Sequence, residues 1–237
     1  METAPKPYLY LLSHMSKALI KQAESEVSAT AAAAFPLGRV VYLLLLHGHA
    51  ALGDILFARL NKKCPWVIPH YPRRAPEQPR DEYEKSTGRG SDESVQDYIA
   101  RMNGIITLYF AILQTPIASF VPDLPYQLTK EHLISLVPAP LRFTAAWSWI
   151  AQALKDPLPG APPIATMLRT WIEIVGAEAI QVFGARQVGK IFEAILREGV
   201  VEGGKIKGDS ESARQQLGMV LSNPTAITHP EARVWEI

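Results

Sequence analysis

Phe57-Ala58-Arg59-Leu60-Asn61-Lys62-Lys63-Cys64-Pro65 reads as the last turns of an α-helix followed by its stop signal. Proline cannot continue a helix, and it pushes the residue before it towards extended backbone. Arg59, Lys62 and Lys63 fall at i, i+3 and i+4, so they share one face with no acid among them. Cations in a last turn are favoured by the helix macrodipole, by ~0.3–1 kcal/mol per charge. Three of them so close also repel one another, and an external anion would relieve that. Two readings of the stretch therefore stand side by side: a solvated basic helix end, or half of an anion site. Either way a helix over residues 50–63 is predicted, beginning just after Gly48.

Towards the N-terminus, residues 37–46 form the preceding helix, with Pro36 suited to its first turn. It is apolar nearly all round, which predicts a central, buried helix. The first helix covers residues 8–27. Leu9, Leu12, Ser16, Leu19, Ile20, Ala23 and Val27 make its buried stripe at helical spacing. His14, Lys17 and Lys21 recur at i, i+3 and i+7 on another face. Lys17 and Lys21 are like charges one turn apart, a mildly destabilising arrangement that Glu24 can partly offset. An exposed polar face accounts for them as simply as a ligand does. His47 and His49 stand two residues apart across a helix break, share no face, and make a poor metal pair.

Towards the C-terminus, residues 64–93 read as a long connection rich in proline and charge. Helical pattern resumes over 95–114, and a second proline-rich passage spans 116–140. Further helices are predicted over 143–154, 164–183, 186–198 and 210–222, before an irregular tail from 223 to 237. Trp147, Trp149, Val234, Trp235 and Ile237 are expected to belong mostly to the core. Strand signals are weak throughout. Short links between helices predict an all-α antiparallel array of the solenoid type, without a clean sequence repeat and with residues 1–237 as one helical domain.

Composition narrows the chemistry. The chain has 237 residues, 48% of them hydrophobic, and a net charge of +1. Residues 1–90 carry 12 basic and 8 acidic side chains, net +4, whereas residues 91–237 carry 12 and 15, net −3. The asymmetry suits a polyanionic ligand or an acidic partner at the N-terminal half. It is too mild for the broad basic stripe of a general nucleic-acid binder. One cysteine, Cys64, rules out a disulfide framework. The longest apolar run, residues 40–46, is far shorter than a membrane span, and no secretory signal is visible.

Catalytic patterns are weak. Gly184 to Lys190 and Gly199 to Lys205 both fit G-x-x-x-x-G-K, but isoleucine, Ile191 and Ile206, follows each lysine where a phosphate loop needs serine or threonine. Neither follows a predicted strand. Cys64, with His70 nearby in sequence, reads as a structural thiol rather than a nucleophile. No enzyme is expected.

Ordered blocks along the chain resemble the GLE-one family of nucleoporin-associated mRNA export mediators, in its fungal-like form. They are Gln22-Ala23-Glu24-Ser25-Glu26-Val27, Pro36-Leu37-Gly38-Arg39, Ala58-Arg59-Leu60-Asn61-Lys62-Lys63-Cys64-Pro65, Arg101-Met102-Asn103-Gly104-Ile105-Ile106 with Gln114 beyond it, Trp147-Ser148-Trp149-Ile150-Ala151-Gln152-Ala153-Leu154, and Gly176-Ala177-Glu178-Ala179. The resemblance covers most of the chain. It implies a non-enzymatic domain of HEAT-like helices that binds inositol hexakisphosphate. With that ligand, the domain stimulates the DEAD-box ATPase of mRNA export. Family positions that contact the polyphosphate fall on Lys17, Lys21, Arg59, Lys62 and Lys63. At Lys21 fungal members can have histidine.

The resemblance also implies, as partners, the helicase and an FG-repeat nucleoporin peptide, with translation initiation and termination factors as further ones. It implies no direct contact with nucleic acid and no membrane. The implied location is the cytoplasmic face of the nuclear pore complex, and the nucleus and cytoplasm. Family members carry a coiled coil and another helix before the position of Tyr8; that helix adds a basic pocket residue in fungal members, and without it the site is expected to be incomplete. A helical scaffold that binds peptides and no small ligand is the alternative. The two clusters named by the resemblance are those that helical spacing singles out. The first and third helices are expected to run the same way, bringing all five cations out at one end.

Overall fold

The structure, a computed structural model, describes residues 5–116, 129–202, 204–206 and 210–233. Its α-helices are α1 (Lys6–Gln22), α2 (Ala34–Leu46), α3 (Ala51–Lys63), α4 (Arg80–Ser86), α5 (Val95–Leu113), α6 (Lys130–Leu136), α7 (Thr144–Ala153), α8 (Ile164–Phe183), α9 (Ala185–Ala194) and α10 (Glu211–Ser222). Among the described residues there is no strand.

Local chemistry sets several ends. α3 stops where Pro65 demands it: Cys64 leaves the helix at φ −135° and ψ 110°, while its N–H still reaches Leu60 O at 2.8 Å. Ser94 caps α5 by accepting from Asp97 N at 3.0 Å, and Ser210 caps α10 by accepting from Ala213 N at 3.2 Å.

α2 is a largely buried helix, as its apolar pattern predicts, and it shares the centre of the array with α5. α5 is the hub: α2, α7, α8 and the turn after α1 all pack on it, and every side chain from Ile105 to Leu113 is buried. α2 is buried through Phe35, Val41, Tyr42, Leu45 and Leu46, but Leu43 and Leu44 are only half-buried. A lone helix pattern cannot rank two apolar helices, because centrality depends on how many neighbours surround each.

The first helix is also less regular than its pattern implies. α1 ends at Gln22 and passes into a π-helical turn, Ala23–Val27. This wider turn lies against α5 at Gly104. A Cβ at Gly104 would stand 2.1 Å from Ala23 O and 3.0 Å from Ser28 N, so only glycine allows this approach. A similar crossing brings Gly38 of α2 against the Ala111 backbone of α5, where a Cβ would meet it at 3.2 Å. Beside the first contact, Arg101 donates to Glu93 Oε1 at 2.7 Å and lies 3.9 Å from Glu24 Oε1. Glu24 therefore serves Arg101, not Lys21 as expected from sequence spacing.

Other expectations meet mixed outcomes. Leu9, expected in the buried stripe of α1, is 36% exposed. The connection over 64–93 is not wholly irregular, since α4 forms within it. The passage over 116–140 contains α6; residues 117–128 lie outside the described residues. Trp149 is core, donating from Nε1 to Trp66 O at 2.6 Å, while Trp147 is half-buried against Phe183 at 5.0 Å between ring centroids. Val234, Trp235 and Ile237 lie outside the described residues. The first G-x-x-x-x-G-K segment is a helix junction: Gly184, at φ +91°, separates α8 from α9, and Lys190 lies on α9. No helix among the described residues is long and apolar enough to cross a membrane.

The C-terminal segment is clasped to the array. Arg233 donates to Glu178 of α8 and lies 2.6 Å from His229 Nδ1, and its carbonyl accepts from Arg39 of α2. Burial, and then the Arg233 charge, lower the pKa of His229 below the ordinary 6.5, with Glu178 opposing. A base whose pKa falls on folding takes up its proton more readily when unfolded. The clasp is therefore at full strength above pH ~6.5 and loses stability as pH falls through that value. His229→Gln is expected to flatten the decline in melting temperature between pH ~7 and ~5 relative to the parent chain. An unchanged slope would remove His229 from the account.

Candidate functional site

α1 and α3 lie side by side and run the same way. Tyr8 Oη sits 2.7 Å from His49 Nδ1 where both helices begin, and further along Arg59 Nη2 donates to Ser13 Oγ at 2.5 Å. Two contacts met in the same order along both helices fix a parallel pairing. His49 is thereby used in bracing these helices.

This pairing places the predicted cations. Lys17 follows Ser13 by one turn, as Lys63 follows Arg59, and a turn rises about 5.4 Å. Lys17 and Lys63 therefore both lie beyond the Ser13–Arg59 contact, with Lys62 beside Lys63 and Lys21 one turn beyond Lys17. Ser13, Lys17 and Lys21 at i, i+4 and i+8 form one row of α1, and Arg59 shows that the row flanks the seam with α3. The four lysines are exposed; Arg59 is half-buried.

Electrostatically the cluster is uncompensated. Among the described residues, none of these five side chains is ion-paired with a carboxylate. The nearest acid in sequence to Lys21, Glu24, is turned towards Arg101. α3 directs its negative C-terminal end to Lys62 and Lys63, whereas the first helix continues past Lys21 through the π-helical turn, so one helix end lies at the cluster. The field of that end helps hold several cations together without a ligand. Such a surface can grip a multivalent anion.

The other sequence candidate for chemistry is inert. Cys64 is fully buried, its Sγ lies 3.8 Å from Met102 O, and burial pushes the thiol up to about 12. His70 is exposed on the surface. Sequence reasoning did not find Ser13, which fixes the guanidinium of Arg59. Its place one turn before Lys17 was the available signal, but a serine on a polar face has many ordinary uses.

Comparison with known proteins gives the following. A family model described as GLE1-like protein matches residues 1–196. The mRNA export factor gle1 of Schizosaccharomyces pombe is 31% identical over 216 residues, which is 91% of this chain and 41% of that protein. The mRNA export factor GLE1 of Danio rerio is 33% identical over 168 residues, 68% of this chain and 22% of that protein. This chain therefore spans less than half the length of either relative. Among solved structures, a chain in the complex of the S. cerevisiae Dbp5 L327V C-terminal domain bound to Gle1 and IP6 superposes with a TM-score of 0.68 at 24% identity. The match covers 90% of this chain and 68% of that one. At that identity, the likeness speaks to the fold alone.

Proposed function

Since the chain belongs to the GLE1-like protein family, we propose that it is a non-enzymatic mRNA export factor that binds inositol hexakisphosphate and with it stimulates a DEAD-box ATPase. The observation that supports this reading is the parallel pairing of α1 and α3, with Arg59 held by Ser13 and with Lys17, Lys21, Lys62 and Lys63 exposed beyond that contact. The related complex, which brings Dbp5, Gle1 and IP6 together, supports the choice of ligand and partner.

Charge explains why two proteins are needed. Six phosphates at about −1.5 to −2 each give a ligand of roughly −9 to −12. Five cations leave much of that exposed, so a second basic surface on the helicase closes over it. The ligand then tethers the two proteins, and each strengthens the other's binding by the same factor. A tether on one lobe of the helicase favours its open state and speeds release of RNA or nucleotide.

The nucleoporin contact belongs to this reading too. A groove of about 780 Å³ runs between Phe35, Ile172, Val220 and Ile227, with Met219, 73% exposed, at its edge. Its apolar walls suit the aromatic anchors of an FG-repeat peptide. Action at the cytoplasmic face of the nuclear pore, and roles with translation initiation and termination factors, rest on the family resemblance.

Calorimetric titration of inositol hexakisphosphate, with and without the helicase, tests the proposal together with ATPase rates. The ligand is expected to bind the pair more tightly than either protein alone, and stimulation is expected to depend on it. Helicase binding and stimulation indifferent to the polyphosphate would favour the plain scaffold instead.

A further inference from the structure

A second cavity of about 330 Å³ opens where the chain following α3, helix α4 and the start of α5 meet. Its distinguishing lining is three tyrosines, Tyr71, Tyr83 and Tyr98, and three arginines, Arg74, Arg80 and Arg89. None of the five cations of the polyphosphate site lines it. We propose that this cavity holds a nucleotide, with the base against Tyr71 and Tyr83 above buried Tyr98 and the phosphate on the arginines. The inference is independent of the reading given above.

The charge arithmetic leaves room for one modest anion. Glu84 is the one carboxylate in the lining; its Oε1 takes Arg80 Nε at 2.9 Å and Arg89 Nη1 at 2.9 Å. It holds two guanidinium groups close together before any ligand arrives. Arg74 uses only its Nε, on Gln78 O at 3.0 Å, so its terminal nitrogens are available. Three cations against one anion leave +2, enough for a phosphate monoester. Glu84 also disfavours a highly charged polyanion, which separates this site from the lysine cluster.

The walls select what carries the phosphate. Ile99, Pro162 and Pro163 complete a mostly apolar surface, and an inorganic anion or a phosphoserine would leave it empty. A flat aromatic base fills it. Stacking of a base on an aromatic side chain contributes ~1–3 kcal/mol whatever the base. The floor is rigid: Tyr98 Oη donates to Thr87 O at 2.8 Å, and Tyr71 packs on buried Trp66 with ring centroids 5.6 Å apart. The volume lies at the small end for ligand sites and suits one nucleotide rather than a tract. The charge asymmetry of the chain, too mild for a nucleic-acid stripe, does not bear on a pocket of this size.

The test uses fluorescence anisotropy with a short labelled single-stranded RNA, with adenosine monophosphate as competitor and a phosphoserine peptide as control. Arg74→Gln with Arg80→Gln alters two surface side chains and leaves the core alone; an unchanged melting temperature confirms the fold. The double variant is expected to weaken RNA binding about tenfold and to flatten its salt dependence, as loss of phosphate contacts does. Lys62→Gln with Lys63→Gln should bind RNA like the parent. Competition by adenosine monophosphate would identify a free nucleotide as a ligand; RNA binding without competition would assign the pocket to a nucleotide within a strand. Absence of binding by both, binding indifferent to the arginine variant, or capture of the phosphoserine peptide in place of both would overturn the proposal.

Discussion

Gly104→Ala is expected to destabilise the fold by about 3 kcal/mol, at the upper end of ordinary overpacking costs. The sign is informative, because at an open helical position the same change stabilises by ~1 kcal/mol through helix propensity. Here the added methyl would sit 2.1 Å from Ala23 O, with Ser28 N and Ser28 Cβ each at 3.0 Å. Two of these atoms are backbone, so no rotamer change relieves the clash. α5 would have to move away from the π-helical turn, and α5 is the hub on which α2, α7 and α8 also rest. Arg101 would be drawn away from Glu24 in the same movement. Urea denaturation gives the measurement. A variant as stable as the parent would mean that the π turn can relax to a regular helix at no cost.

The second large effect is on binding. Lys62→Gln with Lys63→Gln is expected to weaken inositol hexakisphosphate binding about 30-fold, from the loss of two close charge contacts in a water-exposed setting. The melting temperature without ligand should hardly change, because exposed charges contribute little to stability and these have no carboxylate partner among the described residues. Raising the ionic strength should narrow the gap between parent and variant, since the Debye length shrinks below the spacing of the charges. Parent-like binding by the double variant would sink the site. Lys17→Gln with Lys21→Gln then asks whether both helices take part. A loss seen only for the α3 pair would confine the ligand to one helix end and remove the shared pocket.

Several elements were plain in the sequence because their causes are local. The helix expected over 164–183 has those bounds in the structure, Ile164–Phe183, since Pro162 and Pro163 open it and Gly184 closes it. α3 ends at Lys63 because Pro65 allows nothing else. Its cationic face and that of α1 follow from spacing alone. Less visible were α4 and α6, each of which has 7 residues, too short to show a period. Glu24 was assigned to its neighbour in sequence, and the structure gives it to Arg101 on another helix.

The sequence by itself determined an all-α chain, most of the helix bounds, and two basic rows that must face away from the core. These depend on backbone chemistry and periodicity within a few residues. Only the tertiary structure decided that α5 is the hub, that a π turn meets Gly104, that Arg59 reaches Ser13, and that α1 and α3 run side by side. It also brought Tyr71, Arg74, Tyr83 and Tyr98 to one cavity. The physical reason is that packing is non-directional and summed over many partners, so a helix pattern tells which face is buried but not against what.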